Sequence, residues 1–255
     1  MARSRRGSKP ANSNKNRGQR RGSSSRIQMV RYPSIVGMHQ SNVIGQPCIA
    51  FEKYDGSNLQ FSWDQNQGWH RSGTRKRTVE PDNPLFGSAI KMFQDKYADG
   101  IINSVRRHKE YRNAKSLTAF CEFYGDNTFS GLHVASDEKR LKLFDILIDE
   151  KFVLPRDFVY HFGELDIATV LYEGEFSKAF VDRVRAGEFD CGEGVVAKGV
   201  TKTQRRKGKT EQDVWMVKIK TQSWLDELQR RASESPDKFE SEWQDNQREQ
   251  SHSDL

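Results

Sequence analysis

The sequence predicts an α+β fold in which antiparallel sheets are flanked by helices. Short apolar or alternating runs recur along the chain between turn residues, which is typical of strands. Two longer stretches repeat apolar residues at helical spacing. Single acidic residues also interrupt several apolar strands. Burying an unpaired carboxylate is costly, so these acids must face a cleft or a partner.

The first two predicted strands flank a tight turn. Apolar residues run from Cys48 to Phe51, Asp55-Gly56 supplies the turn, and an alternating run follows from Leu59 to Trp63. This pattern predicts a hairpin that holds Lys53 at a strand end. The lysine could be a solvated residue of a surface turn. It could also be a nucleophile, which requires neighbouring cations or a desolvating pocket to lower its pKa from about 10.4.

A basic cluster and a helix come next. Four cations lie within residues 71–77, and they form either a solvated loop or a group that returns towards Lys53. Asp82 and Pro84 predict the start of a helix that continues to about residue 112. Its apolar stripe has helical spacing and is predicted to be core: Phe86, Ile90, Phe93, Tyr97 and Ile101.

Two predicted strands, 117–124 and 141–148, each carry one acid. Glu122 shares a face with Phe120 and Thr118 because side chains alternate along a strand. Asp145 is the acid of the second strand, and Phe144 is expected on the opposite face. A helical turn is predicted at Pro155, and a second amphipathic helix is indicated by Phe176, Ala179, Phe180 and Val184.

The last predicted strands hold a third acid and two lysines. Glu193 precedes a β-rich run that ends at Lys198, and a basic loop separates it from strand 214–220. Lys218 and Lys220 share one face of that strand, opposite Trp215, Val217 and Ile219. An exposed edge strand would account for the lysines, whereas an anionic ligand would require both cations. A short helix is predicted at 223–231.

The charge is unevenly distributed. Residues 1–26 contain nine Lys or Arg and no acid, and residues 233–255 contain seven acids and two bases. Both ends are polar, so we expect a disordered basic arm at 1–26, a folded domain at 27–232 and a disordered acidic tail at 233–255. The arm could contact nucleic acid, or it could serve as a solubilising or targeting segment.

The three cysteines are dispersed without metal-binding spacing: Cys48, Cys121 and Cys191. Each lies in an apolar context, which favours a buried thiol in a reducing compartment. No run of 18 apolar residues predicts a membrane span, and the N-terminus lacks the apolar region of a secretory signal. We therefore expect a protein that is cytoplasmic or otherwise intracellular and not secreted, and a viral or phage-encoded protein fits this expectation. We also expect a monomer.

Five motifs occur in the order found in the covalent nucleotidyltransferase superfamily of polynucleotide ligases and capping enzymes. They begin at Lys53 (KYDG), Glu122 (EFYG), Phe144 (FDI), Glu193 (EGVVAK) and Lys218 (KIK) and span about 170 residues. The chain most resembles the branch of phage RNA ligase 2 and the RNA-editing ligases, through Glu52 before the lysine and Asn58 in Lys-x-x-Gly-x-Asn. DNA ligases and capping enzymes usually have Arg where Asn58 stands. The sequence departs from the branch at Asp55, where His is common.

The resemblance implies a nucleotide-binding cleft between the sheets and an ATP-dependent RNA ligase that uses Mg²⁺ or Mn²⁺. Lys53 would attack the α-phosphate of ATP, AMP would pass to a 5′-phosphate, and a 3′-hydroxyl would displace it. Nucleotide-contacting roles are implied for Glu52, Asn58, Glu122 at the ribose, Phe144 at adenine, and Lys198. Lys218 and Lys220 would contact the α-phosphate and lower the pKa of Lys53, and Glu193 would bind the metal. Arg75 or Arg77 would hold the 5′-phosphate or the nucleotide.

The larger relatives in this superfamily usually carry a further domain after the last motif, an OB-fold in DNA ligases and capping enzymes and a helical domain in RNA ligase 2. Only 35 residues follow Lys220 here, so we expect a catalytic domain without an appended OB-fold. The expected substrates are RNA ends, including those of a nicked duplex. The alternatives are a minimal DNA ligase, a non-catalytic nucleic-acid-binding module and a capping guanylyltransferase. The intact set of motif lysines and acids argues against the non-catalytic module.

Overall fold

The computed structural model describes residues 30–37, 42–129, 131–204 and 210–251. The predicted basic arm lies outside these residues. Ten strands are described: β1 Val36–Gly37, β2 Pro47–Lys53, β3 Ser57–Asp64, β4 Gly68–Thr74, β5 Ser116–Gly125, β6 Lys139–Ile148, β7 Lys151–Phe152, β8 Val170–Glu175, β9 Gly194–Gln204 and β10 Thr210–Lys220. The helices are α1 Gly87–Phe93, α2 Asp99–Arg107, α3 Pro155–Phe162, α4 Lys178–Arg185, α5 Gln222–Glu234 and α6 Pro236–Ser251.

The strands form two five-stranded sheets, and the prediction of an α+β fold with antiparallel sheets and flanking helices is confirmed. The first sheet has the order β1-β10-β9-β2-β8, and the second has the order β4-β3-β5-β6-β7. The pairings are antiparallel except for the short parallel pair of β1 with β10.

Strand β2 explains how the two cores are built. Ile49 and Phe51 pack in the larger core, which also contains β3, β5, β6 and the helices α1 to α3. Cys48 and Ala50 point the other way, into a second core with α4 and β9. Because both faces of β2 are buried, its sequence is a continuous apolar run instead of an alternating one.

The predicted hairpin at residues 48–63 is wrong. β2 pairs with β8 and β9, whereas β3 pairs with β4 and β5, so the turn after Lys53 carries the chain from one sheet to the other. Asp55 accepts a hydrogen bond from the backbone N–H of Gly131 at 3.0 Å. A Cβ on Gly56 would lie 2.4 Å from the carbonyl oxygen of Phe123, so only glycine fits. Lys53 therefore lies at a junction between the sheets.

The predicted long helix is present but interrupted. α1 and α2 are joined by a π-helical turn over Gln94–Ala98. The Asn83 side chain accepts hydrogen bonds from the backbone N–H groups of Leu85 and Phe86, which orders the turn before α1. The predicted apolar stripe faces the core, with Phe93, Tyr97 and Ile101 fully buried.

Candidate active site

A cavity of about 950 Å³ opens where the two sheets meet. It is lined by the end of β2, the start of β3, the middle of β5, β6 and β9, and the end of β10. The N-terminal segment before β1, the loop after β4 and helix α6 complete the lining. Most predicted site residues lie on this wall: Glu52, Lys53, Asn58, Arg75, Glu122, Phe144, Lys198, Lys218 and Lys220. A volume of this size is sufficient for a nucleotide.

Lys53, Glu193 and Lys220 form one ion-pair cluster at the cavity. The Lys53 Nζ lies 2.6 Å from Glu193 Oε2, and the Lys220 Nζ lies 3.2 Å from Glu193 Oε1. Strand register produces this arrangement, because Gly194 pairs with both Lys53 on β2 and Lys220 on β10. Gly194 has φ +150°, and a Cβ there would lie 2.0 Å from the Ile219 carbonyl oxygen. The glycine after Glu193 thus allows the three strand ends to meet.

The carboxylates control the charge of the nucleophile candidate. Burial favours a lower pKa for Lys53, but the charges of Glu193 and Glu122 outweigh it, so its pKa is raised. The expectation that neighbouring lysines lower the pKa of Lys53 is therefore wrong for this arrangement of side chains. Burial lowers the pKa of Lys220, and the charges of Lys53 and Lys220 hold the pKa of Glu193 below its ordinary value despite burial. Both lysines are thus paired with the carboxylate of Glu193, and Lys220 also lies 3.5 Å from Glu242 Oε1.

Glu122 and Asn58 lie side by side on the second sheet. They are register partners on β5 and β3, and both line the cavity. Burial raises the pKa of Glu122 to about 8, although the charges of Lys53 and Arg75 act in the opposite direction. Glu122 is therefore a weakly acidic group next to the amide of Asn58, a pair suited to hydrogen bonding neutral hydroxyls.

The acid predicted on β6 has a structural partner. Asp145 Oδ2 lies 2.8 Å from the Lys198 Nζ and accepts a hydrogen bond from the hydroxyl of Tyr32. Phe144 sits at a β-bulge, because Phe120 pairs with Asp145 and Cys121 pairs with Leu143. A bulge changes the direction in which side chains point, and here Phe144 lines the cavity while Asp145 is buried.

Arg75 and Arg77 occupy different positions. Arg75 lines the cavity, and its guanidinium carbon lies 5.8 Å from the centre of the Tyr32 ring. Arg77 is not among the cavity-lining side chains of the described residues. The geometry favours Arg75 as the arginine that could contact a ligand.

A family model for RNA ligases matches residues 46–220. The chain belongs to the RNA ligase family. The matched segment begins one residue before β2 and ends at Lys220, so it contains the five motifs and both sheets except for β1. No curated protein matches this chain.

Solved RNA ligase structures of Naegleria gruberi share the fold. A lysine-to-methionine variant with AMP and Mn is 14% identical with a TM-score of 0.50. A lysine-to-alanine variant with ATP and Mn is 14% identical with a TM-score of 0.51. In each case the match covers 77% of this chain and 58% of the other chain. This chain thus spans less than two thirds of the length of those ligases.

The sequence did not predict two parts of the cavity wall. Tyr32 and Ile35 line the cavity from the N-terminal segment, and α6 contributes Ser241, Glu242, Asp245 and Asn246. The prediction of disorder from residue 233 is wrong for α6, because Phe239 packs with Trp224, Leu228 and Phe129, and Trp243 lies against this cluster. The spacing of Phe239 and Trp243, four residues apart in a polar stretch, was the available signal.

The described residues contain no group of three or more His, Cys, Asp or Glu side chains that could hold a metal ion by themselves. Mg²⁺ is usually bound through one or two carboxylates together with waters and substrate phosphates. Glu193 offers one such carboxylate, but both of its oxygens are ion-paired with Lys53 and Lys220, so a divalent cation that arrives with a nucleotide would have to displace at least one ammonium group to bind it. The described chain also has no helix long and apolar enough to cross a membrane.

Proposed function

We propose that this protein is an ATP-dependent RNA ligase that seals 5′-phosphate and 3′-hydroxyl ends through a lysyl-AMP on Lys53. The observation that carries the proposal is the Lys53–Glu193–Lys220 cluster, whose two lysines line a nucleotide-sized cavity while the buried Glu193 pairs with both. The family match supports the same chemistry. The Naegleria gruberi structures contain ATP or AMP with Mn, which supports ATP and a divalent cation as the ligands here.

In the first step, the neutral Lys53 amine attacks the α-phosphorus of ATP. A nitrogen–phosphorus bond forms, the bond to the bridging oxygen breaks, and pyrophosphate leaves with that electron pair. Lys220, and Lys218 two residues before it on the same face, supply positive charge to the α-phosphate oxygens. When bound, a divalent cation on Glu193 supplies further charge neutralisation.

The ammonium proton of Lys53 must pass to water in the cavity before this attack, and the amine loses a second proton to water as the nitrogen–phosphorus bond forms. Glu193 accepts a hydrogen bond from the Lys53 ammonium group, and its charge raises the pKa of Lys53. Glu193 therefore favours the protonated, unreactive form of Lys53, and the amine becomes reactive when this interaction is weakened. Lys220 already contacts the other oxygen of Glu193, so it can remain as the ion-pair partner of this carboxylate when Lys53 loses its charge.

The two later steps transfer AMP to a 5′-phosphate and then displace it with a 3′-hydroxyl. Each is an in-line substitution at phosphorus, so positioning and charge neutralisation determine its rate. We assign Glu122 and Asn58 to the ribose hydroxyls, Phe144 to the adenine and Arg75 to a phosphate. Glu52, at the strand end beside Lys53, completes the nucleotide contacts, and RNA is the proposed partner.

Labelling with ATP carrying a radioactive α-phosphate tests the proposal. The wild-type protein should form an acid-labile adduct that survives denaturing electrophoresis, and Lys53→Ala and Lys53→Arg should both abolish it, since arginine does not lose its proton. Lys91→Arg is the control, because Lys91 is an exposed residue of α1. Adduct at the wild-type level in Lys53→Ala would refute the assignment.

The choice of substrate needs a second assay with the same protein. Addition of a nicked RNA duplex with a 5′-phosphate should consume the adduct and yield a sealed strand. A matched DNA duplex distinguishes a DNA ligase, and labelling with GTP distinguishes a capping guanylyltransferase. Sealing of DNA nicks without any need for ribonucleotides at the 3′-hydroxyl side would contradict RNA as the substrate.

A further inference from the structure

Three polar side chains are buried beneath one end of the cavity, and the proposed phosphoryl-transfer steps do not use them. Tyr32 is 2% exposed, Asp145 is 3% exposed and Lys198 is 2% exposed. They come from the N-terminal segment, β6 and β9, so their meeting depends on the tertiary fold. A buried ion pair of this kind often contributes little net stability compared with apolar side chains of the same volume. Its role is therefore sought in the residues that it holds in position.

Three contacts connect the group to Phe144, and one of them is the Lys198 ammonium over the Phe144 ring, 5.7 Å from its centroid. The Lys198 Nζ donates a hydrogen bond to the carbonyl oxygen of Phe144 at 2.8 Å, in addition to its pairing with Asp145. The ring of Tyr32 packs edge-on against the Phe144 ring, with centroids 5.2 Å apart and planes at 89°. Lys198 thus contacts both the backbone and the ring of Phe144, and Tyr32 packs against the ring.

The bulge explains why Phe144 needs this support. Between β5 and β6, Phe144 has no register partner, since its neighbours Leu143 and Asp145 pair with consecutive residues of β5. The ladder that fixes other residues of β6 is therefore interrupted at the residue that faces the cavity. The carbonyl group that Lys198 binds belongs to this bulged residue.

Lys198 is also distant from the reacting atoms. It pairs with Ile49 on β2, whereas Gly194 pairs with Lys53. Four residues along a strand correspond to about 13 Å. The nucleophile and Lys198 are therefore placed at opposite ends of the nucleotide site, and Lys198 lies on the side of the aromatic residue.

We propose that Tyr32, Asp145 and Lys198 form a positioning network that fixes the Phe144 ring as the platform for the nucleobase. The inference rests on the proposed function, because it assigns the base to Phe144. Lys198 acts here through Phe144 and Asp145, and it makes no contact with a phosphate. Tyr32 extends the network to the N-terminal segment, so that segment becomes part of the base-binding end of the site.

The test compares KM and kcat for lysyl-AMP formation in single and double variants. Lys198→Met and Phe144→Ala should each raise the KM for ATP about ten-fold, which corresponds to the loss of stacking on one base, and each should leave kcat within about two-fold. The effects of the two substitutions on KM should not be additive, because both act through the Phe144 ring. In the Phe144→Ala background, Lys198→Met should change KM by less than about two-fold.

The chain provides a matched control and a mild variant. Lys139 also pairs with an aspartate of low side-chain exposure, Asp137, and donates to a backbone carbonyl, that of Val134, but it does not line the cavity. Lys139→Met should therefore leave the KM for ATP unchanged. Because Lys198→Met leaves Asp145 without its cation, the double variant Asp145→Asn with Lys198→Met is measured too, and it should raise the KM for ATP as Lys198→Met does. Tyr32→Phe removes only the hydroxyl and should raise KM in the same direction.

Three results would overturn the inference. These are additive effects of Lys198→Met and Phe144→Ala on KM, a fall in kcat at constant KM, or an equal effect of Lys139→Met. If Lys198→Met does not fold, Tyr32→Phe decides the question, and an unchanged KM in that variant counts against the network. All of these outcomes leave the Lys53-dependent adduct intact, whereas loss of the dependence on Lys53 would refute the proposed function itself.

Discussion

Helix α6 places negative charge at the phosphate side of the proposed nucleotide site. Glu242 Oε1 lies 3.5 Å from the Lys220 Nζ, and Asp245 lines the same cavity. A triphosphate must compete with Glu242 for Lys220, and it is repelled by the carboxylate. We therefore predict that Glu242→Gln lowers the KM for ATP in lysyl-AMP formation.

The expected magnitude follows from the geometry of the pair. Unit charges about 3.5 Å apart interact by about 4 to 5 kcal/mol at an effective dielectric constant of about 20. Glu242 is 36% exposed, while Lys220 is only 9% exposed, so solvent screening and the flexibility of the glutamate reduce this value strongly. About 1 kcal/mol remains, and this corresponds to a roughly five-fold decrease in KM.

The assay is the initial rate of adduct formation over a range of ATP concentrations at fixed Mg²⁺. Glu240→Gln is the matched control, because Glu240 lies on the same helix but not on the cavity wall. It should leave KM unchanged. A higher KM in Glu242→Gln would refute the reasoning, since it would mean that the carboxylate assists nucleotide binding, for example by orienting Lys220.

Three further predictions concern other charged groups. Glu193→Gln should fold but lose metal-dependent adenylylation, and full activity at ordinary Mg²⁺ would exclude Glu193 as the metal ligand. The pKa of Glu122 is raised from 4.5 to about 8 in the folded protein, so between these pH values the native state binds a proton that the unfolded state has lost. The free energy of unfolding should therefore fall as pH rises through this window. In Glu122→Gln that loss should disappear, and equal pH profiles of thermal unfolding for both proteins would contradict the prediction. Deletion of residues 1–26 should make the slope of log K for RNA binding against log salt concentration less steep, by up to about 0.7 to 0.9 per lost phosphate contact, and should leave adduct formation unchanged. An unchanged slope in a binding titration would indicate that the arm does not contact phosphates.

Much of the candidate site can be predicted from the sequence because its signals are local. Lysine and acidic residues stand at the ends of apolar strands, and alternation along a strand determines which residues share a face. This was sufficient to place Lys218 and Lys220 on one face of β10, with Val217 and Ile219 packed in the core behind them. The amphipathic helices are local signals in the same sense.

The tertiary structure decided the features that depend on long-range pairing. The sequence around Asp55 and Gly56 is compatible with a hairpin, but the pairing of β2 with β9 and of β3 with β5 separates the two strands into different sheets. The sign of the pKa shift of Lys53 depends on Glu193, which is 140 residues away along the chain. A list of neighbouring cations therefore could not predict it.

The same reason explains the partners that the sequence left open. Asp145 was identified as an acid that needs a partner, and the partners are Tyr32 and Lys198, from distant segments. The contribution of α6 depends on two aromatic residues that pack on α5 and on Phe129 in the loop after β5. Local spacing determines which residues can do chemistry in this protein, and strand register and packing determine which of them meet, because electrostatic and hydrophobic contacts depend on distance in space and not along the chain.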